Sequence, residues 1–126
     1  MKQIIRTDNA PQPIGPYSQA IITGNGLVFV SGQIPLMPDG TLVEGDIEVQ
    51  TEQVIQNISQ ILEACGCTLE DVVKTTVILT NIDDFAAMNR VYGKFFNNSK
   101  PARAILQAVK LPKNAGIEID AIAEKK

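Results

Sequence analysis

The spacing of apolar residues along this chain changes several times, and each change marks an element. Ile4-Ile5 predicts a short edge strand. The segment Ala10-Pro11-Gln12-Pro13-Ile14-Gly15-Pro16 holds three prolines and a glycine, which excludes a helix and predicts a rigid loop delivering Tyr17. Two apolar runs follow, Tyr17 to Thr23 and Leu27 to Ser31. Gly24-Asn25-Gly26 between them predicts a hairpin, because a tight turn needs residues that accept positive φ. Gly32-Gln33-Ile34-Pro35 ends the second strand, and Pro38-Asp39-Gly40-Thr41 reads as a turn. From about Val49 to Cys65 the apolar positions Val54, Ile58, Ile61, Leu62 and Cys65 recur three or four apart, so a helix is expected, stopped by Gly66. Thr68 and Asp71 resemble a capping box that opens a short turn.

Val72 to Thr80 is β-branched and almost continuously apolar, as in a central strand covered on both faces. A second helix is expected from near Asp83 to about Phe96, with Phe85, Met88, Tyr92 and Phe95 as its buried stripe. The adjacent carboxylates Asp83 and Asp84 are read as caps of that helix rather than as a catalytic pair. Asn97-Asn98-Ser99-Lys100-Pro101 ends it. Two strands close the chain, Arg103 to Lys110 and Ile117 to Ala123, and the local pattern alone would pair them as a hairpin across Leu111–Gly116. No linker or short repeat divides the sequence, so residues 1–126 form one domain. Six strands and two helices in this order predict an α+β fold, a two-layer α/β sandwich with both helices on one face of the sheet. Apolar residues on both sides of several strands imply that the bare face packs against other subunits.

Composition narrows the chemistry. A net charge of −3 argues against a broad nucleic-acid surface, although Lys100, Arg103 and Lys110 lie close enough in sequence for a local basic pocket. The chain contains no histidine, which excludes Ser-His-Asp and Cys-His catalysis and His-containing zinc sites. Acid–base work then falls to Glu, Asp, Lys, Tyr, Cys or bound water. The two cysteines, Cys65 and Cys67, are too few for a structural zinc site and too close for an unstrained disulfide, so they read as reduced thiols at a helix end. Neither a membrane-spanning run nor a secretory signal is visible, and a soluble cytoplasmic protein is the expectation.

Two charged residues stand where structural strands would carry neither. Arg103 opens the apolar run Ala104-Ile105-Leu106, and Glu118 lies inside Ile117-Glu118-Ile119-Asp120-Ala121. A guanidinium clamps a carboxylate with paired hydrogen bonds, and a carboxylate in apolar surroundings titrates nearer neutrality. Together they suggest a site for a small anion. Taken alone, Arg103 serves equally as a surface ion-pair partner, Glu118 as a solvated edge residue, Tyr17 as packing for the Pro-rich loop, and Ser31-Gly32 as a strand terminator.

Four blocks in order along the chain add a resemblance. Ile14-Gly15-Pro16-Tyr17-Ser18-Gln19-Ala20 is the first, and Ser31-Gly32-Gln33-Ile34-Pro35 the second. Asp84-Phe85 with Asn89 and Tyr92-Gly93 form the third. Pro101-Ala102-Arg103 through Leu111-Pro112-Lys113 to Glu118 and Ala123 complete the set. By these blocks the whole chain resembles the RidA subfamily of the Rid family, also called YjgF or endoribonuclease L-PSP.

The resemblance implies a Bacillus chorismate mutase-like homotrimer with a central barrel and clefts between subunits. It also implies a final strand inserted antiparallel between the third and fourth, with the fifth parallel to the fourth. The implied activity is a 2-iminobutanoate/2-iminopropanoate deaminase. Such an enzyme hydrolyses small 2-imino or 2-enamino acids of the 2-aminoacrylate type, released by pyridoxal-phosphate-dependent dehydratases, to 2-keto acids and ammonia. It needs no metal or organic cofactor. By the same resemblance Arg103 binds the carboxylate, Glu118 positions the water, and Tyr17, Ser31, Gly32 and Asn89 line the cleft. Many relatives carry cysteine where this chain has Ile105, leaving only the backbone carbonyl there to bind substrate. Two other functions remain open at this stage: a non-catalytic keto-acid sensor, and an RNA-binding or RNA-cleaving translation regulator. The acidic balance, the few aromatic residues and the missing histidines weigh against the second.

Overall fold

Asp46 sets the start of the first helix: its carboxylate accepts a hydrogen bond from the Val49 backbone N–H at 3.0 Å. This helix, α1, therefore spans Ile47–Ala64 and begins two residues before the periodicity alone indicates. It ends as predicted at Gly66, whose φ of 79° lets Gly66 N–H reach Glu63 O at 3.0 Å and Cys67 N–H reach Leu62 O at 2.8 Å.

The computed structural model describes residues 1–126. Around α1 it sets strands β1 (Gln3–Ile5), β2 (Ala20–Ile22), β3 (Leu27–Gln33), β4 (Val72–Leu79), β5 (Ala102–Gln107) and β6 (Ile117–Glu124), with a second helix, α2 (Phe85–Phe96). The six strands form one sheet in the order β1-β2-β3-β6-β4-β5. β6 is antiparallel to both β3 and β4, and β5 runs parallel to β4. The hairpin expected between the last two strands is thus absent, and the arrangement implied by the resemblance is the one observed. The connector bridges the gap by a turn at Pro112–Asn114 in which Lys113 and Asn114 take φ of 58° and 57°.

Both helices cover one face. Val28, Val30, Val77, Leu79, Ile117 and Ile119 point into that layer and meet Val54, Ile58, Ile61 and Leu62 of α1 and Met88 and Phe96 of α2. Burying a side chain of this size contributes about 1.5–3 kcal/mol, so this layer supplies most of the stability. The opposite face has no cover within the chain; Phe29 and Leu106 remain 42% and 46% exposed.

Several boundaries move. Tyr17 lies in the loop and not in a strand, since β2 starts at Ala20. β3 runs on through Gly32 to Gln33, its pairing with β6 interrupted between Val30 and Gln33. β5 stops at Gln107 rather than Lys110. Asp83 and Asp84 fall in a short 3-10 turn before α2, and neither caps through its own carboxylate. Asp84 does occupy the N-cap position of α2, while Asn81 caps the 3-10 turn itself, accepting from Asp83 N–H at 3.0 Å. In α2 the buried residues are Met88, Val91, Tyr92 and Phe96, while Phe85 is 38% exposed. The Thr68–Asp71 motif is present, with the Asp71 carboxylate accepting from Thr68 N–H at 2.9 Å. No helix is long and apolar enough to cross a membrane.

Candidate functional site

Arg103 projects from the edge strand β5 on the helix side of the sheet. Its neighbour across the parallel ladder is Thr75, whose hydroxyl lies 2.7 Å from that of Tyr92 in α2. The guanidinium Nη1 donates to Asn89 Oδ1 at 2.7 Å. Its central carbon sits 4.7 Å from the Tyr92 ring centroid and 5.8 Å from that of Phe85. Phe85, Asn89 and Tyr92 are four and three residues apart on α2, so one stripe of the helix holds the arginine.

No carboxylate pairs with Arg103; the ion pairs of the chain are Arg6–Asp8 and Arg90–Glu48. A neutral amide and an aromatic face thus hold the guanidinium while its charge and its other N–H donors stay available. It borders an open hollow of about 460 Å³ that Asn97 and Lys100 also line. Lys110 does not join this basic pocket, lying instead beside Thr80 and Leu111. Ile105, two residues beyond Arg103, packs partly buried against the core.

Glu118 belongs to the other face. It pairs across the ladder with Ile78, whereas Arg103 pairs with Thr75, and residues three apart on one strand point to opposite sides. The Glu118 carboxylate lies directly over Gly32: a Cβ at that glycine would stand 2.7 Å from Oε2. Burial pushes the Glu118 carboxyl above its ordinary value, and Asp120, two residues along the same face, adds repulsion.

Gly32 also lines a small hollow with Tyr17, Ile14 and Gln33. Tyr17 is half exposed, yet its loop is firmly held. Ser31 Oγ donates to the Ser18 carbonyl at 2.5 Å. Gln19, buried beneath the loop, donates to the Pro11 and Thr7 carbonyls at 2.9 and 3.1 Å and accepts from Thr7 N–H at 2.7 Å.

The chain therefore assembles two separate clusters, Arg103 with Asn89 and Glu118 with Gly32 near Tyr17 and Ser31. It does not bring Arg103 and Glu118 together. Tyr92, read from sequence as core and quoted in the third motif block, and Gln19, quoted only within the first, were given no role in the site, yet they hold its candidate residues in place. The signal for Tyr92 was its spacing from Asn89 and its place in the third motif block, and for Gln19 its place in the first. No group of three or more Cys, Asp or Glu side chains is arranged to hold a metal ion. The largest cavity, about 750 Å³, lies along α1, where the lining side chains are mostly neutral amides and Asp8 is the one ionisable residue, so no cation faces it. Cys65 and Cys67 are free and buried, and burial pushes the Cys65 thiol up to about 11.

The chain is similar to known proteins over nearly its whole length. A RutC family protein of Pyrococcus horikoshii is 56% identical over 126 residues, covering 99% of both chains. Reactive Intermediate Deaminase A of Arabidopsis thaliana, a chloroplastic protein, is 46% identical over 123 residues, covering 97% of this chain and 65% of its own. The solved structure of a candidate endoribonuclease from Thermotoga maritima superposes with a TM-score of 0.96 at 51% identity, covering 100% of this chain and 99% of the other. The family model described as Endoribonuclease L-PSP matches residues 7–125. With the fold, the motif blocks and these relatives in agreement, the chain is a member of the endoribonuclease L-PSP family, the Rid proteins.

Proposed function

We propose that the chain is an enamine/imine deaminase that hydrolyses 2-aminoacrylate-type substrates to 2-keto acids and ammonia. The observation that carries this reading is Arg103, an unpaired guanidinium fixed by a neutral amide and an aromatic face beside an open hollow. Such an arrangement suits a small carboxylate, whose charge-assisted hydrogen bonds contribute about 1.5–3 kcal/mol. The name of the Arabidopsis relative supports the same reaction.

Because Arg103 and Glu118 face opposite sides of one sheet, we assign the complete site to a cleft between copies. Arg103, Asn89 and the Ile105 carbonyl would come from one copy, and Glu118, Gly32, Ser31 and Tyr17 from its neighbour. A head-to-tail contact of this kind closes into a ring, and a homotrimer would also cover the apolar sheet face at Phe29 and Leu106. In the cleft the substrate carboxylate binds Arg103. The enamine takes a proton at its terminal carbon and becomes an iminium. Water held by Glu118 adds to the C=N carbon, passing one proton to the carboxylate. Glu118 returns that proton to the amino group, and the C–N bond breaks to release ammonia as the hydroxyl gives up its own proton to solvent and becomes the ketone oxygen. One enamine and one water give one keto acid and one ammonia. Fixing the carboxylate and the water removes the orientational part of the barrier. Substrate would come from pyridoxal-phosphate-dependent dehydratases in the cytoplasm.

The test is keto-acid and ammonia release from 2-aminoacrylate generated in situ by a dehydratase. Acceleration by wild type, lost in Arg103→Ala, is the expected result. Keto-acid binding without acceleration would replace the deaminase by a sensor.

A further inference from the structure

An exposed arginine on an edge strand samples many rotamers, and carboxylate binding must freeze them. Here much of that ordering is already in place. The Tyr92 ring, 4.7 Å from the guanidinium carbon, is itself immobile: it is buried, it packs on Phe96 with centroids 4.5 Å apart, and its hydroxyl is tied to Thr75. Thr75 is fully buried and is also the residue opposite Arg103 in the ladder. Backbone register and aromatic platform are therefore referenced to one side chain. The Thr75–Tyr92 pair is a buried polar contact beside the apolar core, and a phenylalanine at position 92 would fill the same space without needing a partner.

We propose that Tyr92, tethered by Thr75, is a positioning residue that fixes the Arg103 guanidinium for carboxylate recognition; this rests on the reading of Arg103 given above. Asn89 sets the direction of one N–H, and the ring sets the plane and height of the whole group. Tyr92 also lines the hollow beside Arg103, and the role assigned to it is to hold the guanidinium rather than to react.

The test measures binding of 2-oxobutanoate, a keto-acid product analogue, by NMR titration, alongside thermal unfolding of each variant. Tyr92→Phe keeps the ring and loses the tether, and a two- to threefold weaker affinity is expected. Replacing that phenylalanine by mono-, di- and trifluorinated analogues draws charge from the ring face at nearly constant size. Affinity should then fall stepwise, about fivefold in total, with unfolding temperature unchanged. Tyr92→Leu should weaken binding about tenfold. Should the leucine variant fail to fold, the fluorine series decides alone. A dissociation constant constant across that series overturns the positioning role. Wild type that does not bind 2-oxobutanoate overturns the reading of Arg103 itself, and this role with it.

Discussion

Gly32→Ala separates the site from the fold more sharply than any other single change. A Cβ at residue 32 would stand 2.7 Å from Glu118 Oε2, 2.9 Å from Cδ and 3.2 Å from Cγ. Relaxed contact for such atoms is about 3.5 Å, so the carboxylate must retreat by roughly 0.8 Å. The backbone has no reason to object, because Gly32 is not among the glycines with positive φ, which are Gly26, Gly40, Gly45 and Gly66. Alanine in a strand also loses less chain entropy than glycine on folding, a gain of about 0.5–1 kcal/mol that offsets the rotation of one glutamate side chain. Stability should therefore change by less than about 1 kcal/mol, whereas misplacing a water-positioning group by nearly 1 Å costs about 100-fold in turnover. The assay pairs deamination of 2-aminoacrylate with urea unfolding. A Gly32→Ala protein that turns over like wild type would refute the placement of Glu118 in the reaction, and one that fails to fold would refute the steric argument.

Other expectations follow from the same geometry. Since burial, and then Asp120, raise the Glu118 pKa, the acidic limb of the rate profile should lie above the usual glutamate range, and Asp120→Asn should move it to lower pH. A carboxyl whose pKa is raised by folding stabilises the fold below its unfolded value and loses that contribution as pH rises through the folded one. Glu118→Gln should therefore be more stable than wild type at neutral pH, with the advantage disappearing in acid, as read by unfolding across pH. Gln19→Ala leaves the Thr7 N–H and the Pro11 carbonyl without partners beneath the Tyr17 loop, at a cost of about 3 kcal/mol in urea unfolding. Alkylating reagents at pH 8 should leave Cys65 unmodified and activity intact in the folded protein, with labelling only after unfolding.

What the sequence revealed and what it hid follow from the range of each interaction. Glycine punctuation, helix periodicity and the β-branched run of β4 are local, and they placed α1, β4 and the hairpin between β2 and β3 within a few residues. Strand pairing is not local: nothing between Leu111 and Gly116 records that Ile117–Glu124 will insert between β3 and β4, because that choice rests on what Val28, Val30 and Val77 can bury against. The Rid resemblance supplied the topology that periodicity could not. Arg103 and Glu118 were legible as charges misplaced in apolar strands, but their facing depends on register: Thr75 opposite one and Ile78 opposite the other put them on different sides of the sheet. Asp84 takes the N-cap position of α2 as expected, but the 3-10 turn before it holds its backbone in the helical region (φ −78°, ψ 0°) rather than the extended one from which a carboxylate caps, and the side-chain bond is made by Asn81 at the start of that turn.

The most direct test of the account is subunit complementation. Arg103→Ala and Glu118→Ala should each be inactive alone. Mixed in equal amounts, unfolded and refolded together, they should recover about a quarter of wild-type activity, since one cleft in four would combine an intact arginine with an intact glutamate from its neighbour. No recovery from a mixture that reassembles fully would mean that both residues act from the same copy, contradicting a site built across the interface.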